Sequence, residues 1–535
     1  MGQITAMGGL AGSVQMSPGP TPTPTPTPTI SISAAAANSP DSVSLTLSTT
    51  NIKSVKIGCS TDHSHSIVTP WLPVAGSIVA AQLEPSTGYF CIVQGANGND
   101  GGGSIVSSSE TSQITTPAAL SPVALTASIP SGPTSSSDYT TGASSKTRSL
   151  NFDYNPTYWD SGDTRNSTKL QNGTILSAYN DNQSSMVGLS GGTSNVGVEK
   201  FTLDSFEFPV TVASVNQLTS YGTQSQQNVP TCWSDGWTWK GLALHAEGPQ
   251  LFAFVNRQHD SPPWEQGSNT LIRSDDNGAT WYKSGDTVGV VDGDAPCSPD
   301  MMWPGSTHFS RVTTWIEDPS NSAGGVNNPT LGLDAYDYVV FRDYSNTKDY
   351  LARVHKALAP GYSGVASSGF QDITKWEYWT NSASDGDINN PSDWSNSTAS
   401  AASIFNENLG ASVCSYLSPV WVPDFNEFVA TCTDSASISF GGPLYVYTAT
   451  SLVGPWTQAF AETSPPFSGS PWNLSGGLQR IYAGVMAGSY KKTGTSPLSA
   501  QMTILHGGNY TQANVGNNQN NPYSAMSVIL SLTAS

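Results

Sequence analysis

Short strand-like segments separated by turn residues recur along residues 147–535, and this recurrence constrains the fold more than any other feature. Segments such as NGTILSAYND, NTLIRSDDNGATWY and PLYVYTATSLVGPWTQ combine β-branched and aromatic residues with Gly, Asp and Asn. This pattern is typical of strands that end in tight turns. The segments cluster roughly every 70–80 residues, a spacing that predicts about five small antiparallel sheets arranged as repeats.

The composition supports an all-β fold and excludes two classes of partner. Charged residues make up only 11% of the chain, whereas 51 glycines supply turns. The net charge is −19 and Lys plus Arg number 20, so no basic stripe is available for nucleic acid, and anionic membranes are disfavoured. No apolar run is long enough for a membrane span. A neutral or cationic partner outside the cell is expected.

The region before residue 147 divides by composition into three parts. Residues 1–29 form an arm that ends in the Pro-Thr repeat PGPTPTPTPTPT, which favours an extended linker. Residues 30–118 alternate like short strands, and LEPSTGYFCIVQGANG resembles the late strands of a fibronectin type III module, which implies a small β-sandwich. Residues 119–146 are a Ser/Thr/Pro-rich linker. The remaining residues, 147–535, are predicted to form the main domain.

Six cysteines and six glycosylation sequons fit an exported protein. The even cysteine count, without any CxxC pair, favours disulfides over a zinc site, although six buried free thiols remain the alternative. Pairing neighbours in sequence predicts the bonds Cys59–Cys91, Cys232–Cys297 and Cys414–Cys432. The sequons, which chance alone could supply in so Asn-rich a chain, are at Asn166, Asn172, Asn182, Asn396, Asn473 and Asn509.

Three motifs in order resemble the glycoside-hydrolase-like and sialidase-like β-propellers of the DUF4185 type. The octet SDDNGATW (274–281) matches the Asp-box of sialidase-like propellers, LARV precedes WEYW at 351–379, and GPW follows at 454–456. In the octet, Asp276 is expected to bind its own turn and Trp281 to pack between blades, so it marks the fold and not the site. The resemblance implies a propeller of five blades, or six, that binds ligands in a central funnel.

Candidate site residues follow from that funnel, where polar residues near the starts of the innermost strands would converge. Glycoside hydrolysis needs an acid and a base or nucleophile, both usually carboxyl groups. The predicted catalytic residues are Asp163, Asp235 and Glu407, with Glu247 and Glu317 as further candidates for the acid. The predicted substrate-binding residues are Trp237, which would stack on a sugar face, and Arg257, Asp260 and Arg342. Any of these aspartates could instead cap a turn.

Three functions remain open from the sequence, and none requires a cofactor. The seven histidines are scattered without ligand spacing, so no metal site is expected. The first function is a secreted hydrolase of a neutral glycan. The second is a glycan-binding or adhesion protein, favoured because Ala411 and Ser412 follow Gly410, where related hydrolases often place a glutamate beside a glycine. The third is a structural surface or filament protein that self-associates through its N-terminal arm.

Overall fold

Antiparallel strands form nearly all the regular structure of this protein in a computed structural model. The helical segments of the described residues are 3₁₀ turns of three residues, such as Lys356–Leu358 and Gly369–Gln371. The all-β prediction is therefore confirmed. The structure describes residues 26–119, 121–128, 147–149, 163–170, 173–180, 182–183, 193–194, 197–203, 209–217, 237–259, 266–276, 302–303, 308–309, 311–316, 335–343, 348–360, 368–384, 386–406, 417–433, 444–461, 478–485, 487–510 and 523–535.

The N-terminal strands form two sheets, one of three strands (β1-β2-β6) and one of six centred on the β3–β7 pair. Their bounds are β1 Thr29–Ser39, β2 Ser42–Thr50, β3 Ser54–Ser60, β4 Ile67–Val68, β5 Leu72–Pro73, β6 Ser77–Ala80, β7 Gly88–Ala96, β8 Ile105–Ser107 and β9 Ile114–Thr115. In these sheets the inward side chains alternate along the strand, as the period-2 pattern of the sequence predicts.

The predicted disulfide Cys59–Cys91 is confirmed. The two residues lie directly opposite each other on β3 and β7, with Cα atoms 4.2 Å apart, and both are fully buried. Cys432 is also disulfide-bonded. Its predicted partner Cys414 and the predicted pair Cys232–Cys297 lie outside the described residues, so those pairings stay predictions.

The later strands form five larger sheets, which we number in chain order. Sheet 1 is β12-β13-β16-β17, sheet 2 is β18-β19-β20, sheet 3 is β21-β22-β23-β24-β25 with β26, sheet 4 is β27-β28-β29-β30, and sheet 5 is β10-β34-β33-β31 with β11 and β32. The strands are β10 Leu125–Ser128, β11 Thr147–Ser149, β12 Asp163–Lys169, β13 Ile175–Asn180, β14 Asn182–Gln183, β15 Thr193–Ser194, β16 Gly197–Leu203, β17 Pro209–Gln217, β18 Trp237–Glu247, β19 Gln250–His259, β20 Gln266–Ser274, β21 Arg311–Trp315, β22 Tyr336–Asp343, β23 Lys348–His355, β24 Glu377–Trp379, β25 Trp394–Ser395, β26 Ser403–Asn406, β27 Ser418–Val422, β28 Glu427–Thr433, β29 Leu444–Ala449, β30 Thr457–Ala461, β31 Leu478–Val485, β32 Lys491–Thr495, β33 Leu498–Tyr510 and β34 Tyr523–Ala534.

The five sheets are joined through one strand of each. Strand β12 contacts β18, β18 contacts β21, β21 contacts β27, β27 contacts β31, and β31 contacts β12 again, so the contacts close into a cycle. Sheet 5 also joins distant parts of the chain, because β34 pairs with both β10 and β11. Backbone hydrogen bonds thereby connect the chain segment before sheet 1 to the segment after sheet 4.

Aromatic side chains fill the space between sheets 2 and 3. The Phe254 ring of β19 lies with its centroid 5.4 Å from Trp303, 5.3 Å from Trp315, 5.5 Å from Phe341 and 6.1 Å from Trp376. All five side chains are buried, in tilted or edge-on pairs that aromatic rings favour. The tryptophans that recur in the sequence are therefore packing residues here.

The N-terminal sheets pack against sheets 2 and 3. A single cluster of buried apolar side chains includes Val55 and Tyr89 from the N-terminal sheets together with Phe252 and Trp376. At the edge of this contact the Lys375 ammonium lies 2.7 Å from the Asp100 carboxylate. The two regions therefore share one core.

A buried arginine links the two regions more tightly. The Arg353 guanidinium lies between the rings of Tyr336 (4.1 Å to the centroid) and Trp394 (3.9 Å), and its Nε donates to Glu377 Oε2 at 2.7 Å. With its amide oxygen turned to the guanidinium, Gln82 accepts from Nη2 at 2.7 Å and Nη1 at 2.8 Å. Burial alone would lower the pKa of Arg353, but Glu377 raises it, so the group stays charged.

Replacing Arg353 with methionine is expected to reduce the free energy of unfolding by about 3 kcal/mol, because Glu377 and Gln82 lose their charged partner. Urea denaturation measures the loss. The matched control is Lys375→Met, which breaks the more exposed pair with Asp100 and should cost less than about 1 kcal/mol. Equal losses of unfolding free energy in the two variants would contradict the conclusion that Arg353 stabilises this contact more than the exposed Lys375–Asp100 pair does.

His355 is held neutral at the same contact. Its side chain is buried, and its Nδ1 accepts from the backbone N–H of Ala357 at 3.2 Å. Burial, and then the charge of Arg353, lower the pKa of His355 from 6.5 to about 4. Since the depressed value belongs to the folded state, the contribution to stability is complete above pH 6.5 and declines as the pH falls toward 4.

The variant His355→Asn should be less sensitive to acid than the wild type, because Asn still caps the 3₁₀ turn but takes up no proton. Between pH 6.5 and 4 the wild type should lose about 3 kcal/mol more than the variant. Unfolding free energies measured across this range test the difference. His63→Asn, at an exposed histidine, is the control, and a variant curve parallel to the wild type would refute the assignment.

Candidate functional site

The first strands of sheets 1, 2 and 3 run in the same direction. Near their last residues, the Ala246 N–H donates to Thr168 Oγ1 at 3.0 Å, and the Trp315 ring stacks on His245 with centroids 4.5 Å apart. Beyond the end of β31, the Ala487 N–H donates to Ser167 Oγ at 2.9 Å. The ends of these strands thus lie side by side.

We name the two ends by the strands that define them. The strand-start end carries the first residues of β12, β18 and β21, which are Asp163, Trp237 and Arg311. The strand-finish end carries the last residues of the same strands, Lys169, Glu247 and Trp315. The two ends of β18, which has eleven residues, are roughly 30 Å apart, and those of the shorter β12 and β21 are closer together.

Three of the predicted site residues are at the strand-start end by their position in the sheets. Asp163 is the first residue of β12 and pairs with Asn180, and Trp237 is the first residue of β18 and pairs with His259. Arg257 is two residues from the same edge, opposite Trp239. The predicted residues Asp235, Asp260 and Glu407 lie outside the described residues, as does Glu317. Their roles stay predictions.

Arg342 also lies at the strand-start end, inside sheet 3. It sits on β22 opposite Arg311 of β21 and Asp349 of β23, and its Nη1 is 3.6 Å from Asp349 Oδ1. Both members of this ion pair are buried. Such a pair fixes the position of the guanidinium within sheet 3.

A histidine and a carboxylate form a second polar pair at this end, which the sequence analysis did not identify. His308 Nδ1 is 2.7 Å from Asp343 Oδ2, and the imidazole stacks on Tyr350 with centroids 4.5 Å apart and planes 4° from parallel. The His308 side chain is 39% exposed, so it can reach a ligand. An imidazole oriented by a carboxylate is suited to proton transfer. The sequence signal for this pair is weak, because His308 lies three residues before β21 and Asp343 is the last residue of β22.

Glu247 lies at the opposite end from Trp237. It is the last residue of β18, next to a two-residue Gly-Pro turn in which Gly248 adopts φ +57. There it approaches His245 and Asp337, and this group is the candidate for holding a metal ion among the residues the structure describes. Glu247 is therefore not brought together with the residues of the strand-start end.

The Asp-box octet begins at the end of β20. The Ser274 hydroxyl donates to Asp276 Oδ1 at 2.8 Å, and the Arg273 guanidinium is 3.1 Å from Asp275. Both aspartates are exposed and engaged locally, as expected of a turn. The later residues of the octet, including Trp281, lie outside the described residues.

Comparison with known proteins yields structural likeness only. No protein-family profile and no curated protein matches the chain. An N-acetylgalactosamine deacetylase from F. plautii, in complex with a blood group B trisaccharide, is 11% identical, with 77% of this chain and 95% of that chain covered and a TM-score of 0.38. A GH43_1 enzyme from Xanthomonas citri, complexed with xylotriose, gives 6% identity, 69% and 87% coverage and a TM-score of 0.35.

An exo-β-1,3-galactanase from Phanerochaete chrysosporium is a third similar structure, at 9% identity, with 69% of this chain and 60% of that chain covered and a TM-score of 0.34. At identities and TM-scores this low, the likenesses carry no argument about activity. Within the described residues, no helix has the length and hydropathy needed to cross a membrane.

A double-mutant cycle tests the ion pair at the strand-start end. Arg342→Met and Asp349→Asn should each destabilise the protein, because each leaves a buried partner without its countercharge. The double variant should lose less than the sum, with a coupling above about 1 kcal/mol in unfolding free energy. Strictly additive losses would show that the two side chains do not support each other.

Proposed function

We propose that this protein is a carbohydrate-active β-propeller in which sheets 1 to 5 are five blades and the strand-start end binds a neutral glycan. The observation that supports it most directly is the placement of Asp163 and Trp237 as the first residues of two neighbouring strands in the cycle. A carboxylate and an indole on neighbouring strands suit a sugar, which offers hydroxyl groups at its edge and C–H groups on its face.

In the proposed reaction, water replaces the alcohol on a glycosidic carbon. Asp163 acts as base or nucleophile, Glu407 supplies the general acid, and Asp235 tunes the pKa of that acid. A carboxyl separation of about 5–5.5 Å would give retention of configuration, and about 6.5–9.5 Å would give inversion. Trp237 stacks on the sugar, while Arg257, Asp260 and Arg342 bind its hydroxyl groups. His308, oriented by Asp343, adds a group that can carry a proton.

The proposal extends to the setting of the protein. We propose that residues 30–118 form a β-sandwich, joined to the propeller of residues 147–535 by the linker 119–146, and that the chain works outside the cell. The Cys59–Cys91 disulfide supports this setting, because such bonds persist in oxidising compartments.

Glycan binding without turnover is the second candidate. Two carboxylates described at the strand-start end each have a basic side chain as partner: Asp343 lies 2.7 Å from His308, and Asp349 lies 3.6 Å from Arg342. A carboxylate held in this way positions its partner and is less available as a free base. This arrangement favours a surface built to hold a ligand.

Asp163→Asn is expected to abolish release of sugar from a panel of neutral oligosaccharides, with a rate loss of at least about 100-fold, because Asn can neither accept a proton nor attack carbon. Glycan binding should remain, since the amide has the shape and size of the carboxylate and can still form hydrogen bonds. Product is measured by chromatography and binding on a glycan array.

Asp372→Asn is the control, since Asn can still cap the 3₁₀ turn that begins after Asp372. Product from the wild type and this control, but not from Asp163→Asn, supports hydrolysis. Binding by all three proteins without any product supports the second candidate. If the panel shows neither binding nor product, a carbohydrate function at this end is rejected.

A further inference from the structure

Three potential metal ligands meet at the strand-finish end, about one strand length from the proposed glycan site. His245 Nε2 lies 3.2 Å from Asp337 Oδ2 and 3.7 Å from Glu247 Oε2, and one ligand atom from each residue lies within 4.8 Å of the others. His245 and Glu247 belong to sheet 2, whereas Asp337 belongs to sheet 3. The group therefore spans two neighbouring sheets.

These separations fit a tetrahedral ion. Ligand atoms about 2.1 Å from Zn²⁺ stand about 3.4 Å from one another at tetrahedral angles, between the two distances measured from His245. We propose that His245, Glu247 and Asp337 bind a divalent transition-metal ion of the Zn²⁺ type. An imidazole ligand with two carboxylates disfavours Ca²⁺ and Mg²⁺, which prefer sites made of oxygen alone.

The carboxylate of Asp337 provides a second, independent indication of a cation. Its side chain is 1% exposed, yet neither oxygen accepts a hydrogen bond of good geometry. Oδ2 faces His245, and Oδ1 lies 3.8 Å from the Lys356 ammonium. A fully buried carboxylate normally accepts several hydrogen bonds or binds a metal, because desolvation otherwise favours its neutral form.

Neighbouring elements hold the ligands in place. The Trp315 ring stacks on the His245 imidazole, with planes 19° apart, and so fixes the orientation of the ring. The Gly-Pro turn after Glu247 closes the β18–β19 hairpin, and full pairing with β23 fixes the register of Asp337. A ligand set on rigid strands needs little rearrangement to bind an ion.

The nearby positive charge does not fully balance the negative charge of the two carboxylates, which favours binding of a divalent cation. The Lys356 ammonium lies 3.8 Å from Asp337 Oδ1, and Glu247 and Asp337 contribute the two carboxylates of the group. One ammonium thus faces two carboxylates. The Glu247 side chain is 22% exposed, so an ion has a path from solvent and water can complete its coordination.

The test uses the full chain after treatment with a chelator. Zn²⁺ titrated by calorimetry should bind at one equivalent with micromolar affinity or better, and Co²⁺ should give the visible bands of a four-coordinate ion. Glu247→Gln and Asp337→Asn should weaken binding by at least about 100-fold. Glu427→Gln, which changes a buried carboxyl group at the start of β28, should bind as the wild type does.

The proposal is overturned if the wild type binds neither ion saturably, or if Glu247→Gln binds as tightly as Glu427→Gln. The cluster would then be a buried ion pair of His245 with Asp337. Glu247→Gln decides the matter even if Asp337→Asn fails to fold, because Glu247 is partly exposed and Gln keeps its shape. The site is distant from Asp163 and Trp237, so its test stands apart from that of the glycan site.

Discussion

The rest of the described structure depends on the burial of one positive charge, that of Arg353. A guanidinium can be removed from water only when its hydrogen bonds and charge are satisfied by partners at fixed positions. Those partners come from separate segments: Tyr336 on β22, Glu377 on β24, Trp394 on β25, and Gln82 from the N-terminal region. Satisfying this one group therefore fixes how sheet 3 is assembled and how the N-terminal sheets lie against it.

Local features of the fold were predictable from the sequence, and long-range ones were not. Strand segments such as those around LARV and WEYW are found as β23 and β24, and the Cys59–Cys91 bond joins adjacent strands as expected. The ionic groups were missed because their members lie on different strands. Every residue of β22 is buried, so alternation could not show that Asp337 and Arg342 face partners inside the protein.

The two ends of the first strands carry different chemistry, and the sequence alone could not assign residues to them. Trp237 and Glu247 were both candidates for one glycan site, yet they are the first and last residues of the same strand. The end at which a residue lies depends on the direction in which its strand runs relative to the neighbouring strands. The sequence does not give that direction, but the bond from Ala246 to Thr168 shows that the last residues of β18 and β12 lie together. Asp163, Trp237 and Arg342 share an end by their positions in the strands, and their roles stay predictions.

The pairing of β34 with β10 and β11 bears on how the protein is made. The Thr126 hydroxyl donates to the carbonyl of Thr533, 407 residues later in the chain. During synthesis, sheets 1 to 4 emerge from the ribosome well before β34, which completes sheet 5. Until β34 is made, the edge of β10 lacks its pairing strand. Contacts of such sequence separation slow folding. Efficient production should therefore depend on chaperones that shield these early edges until synthesis reaches the last strand.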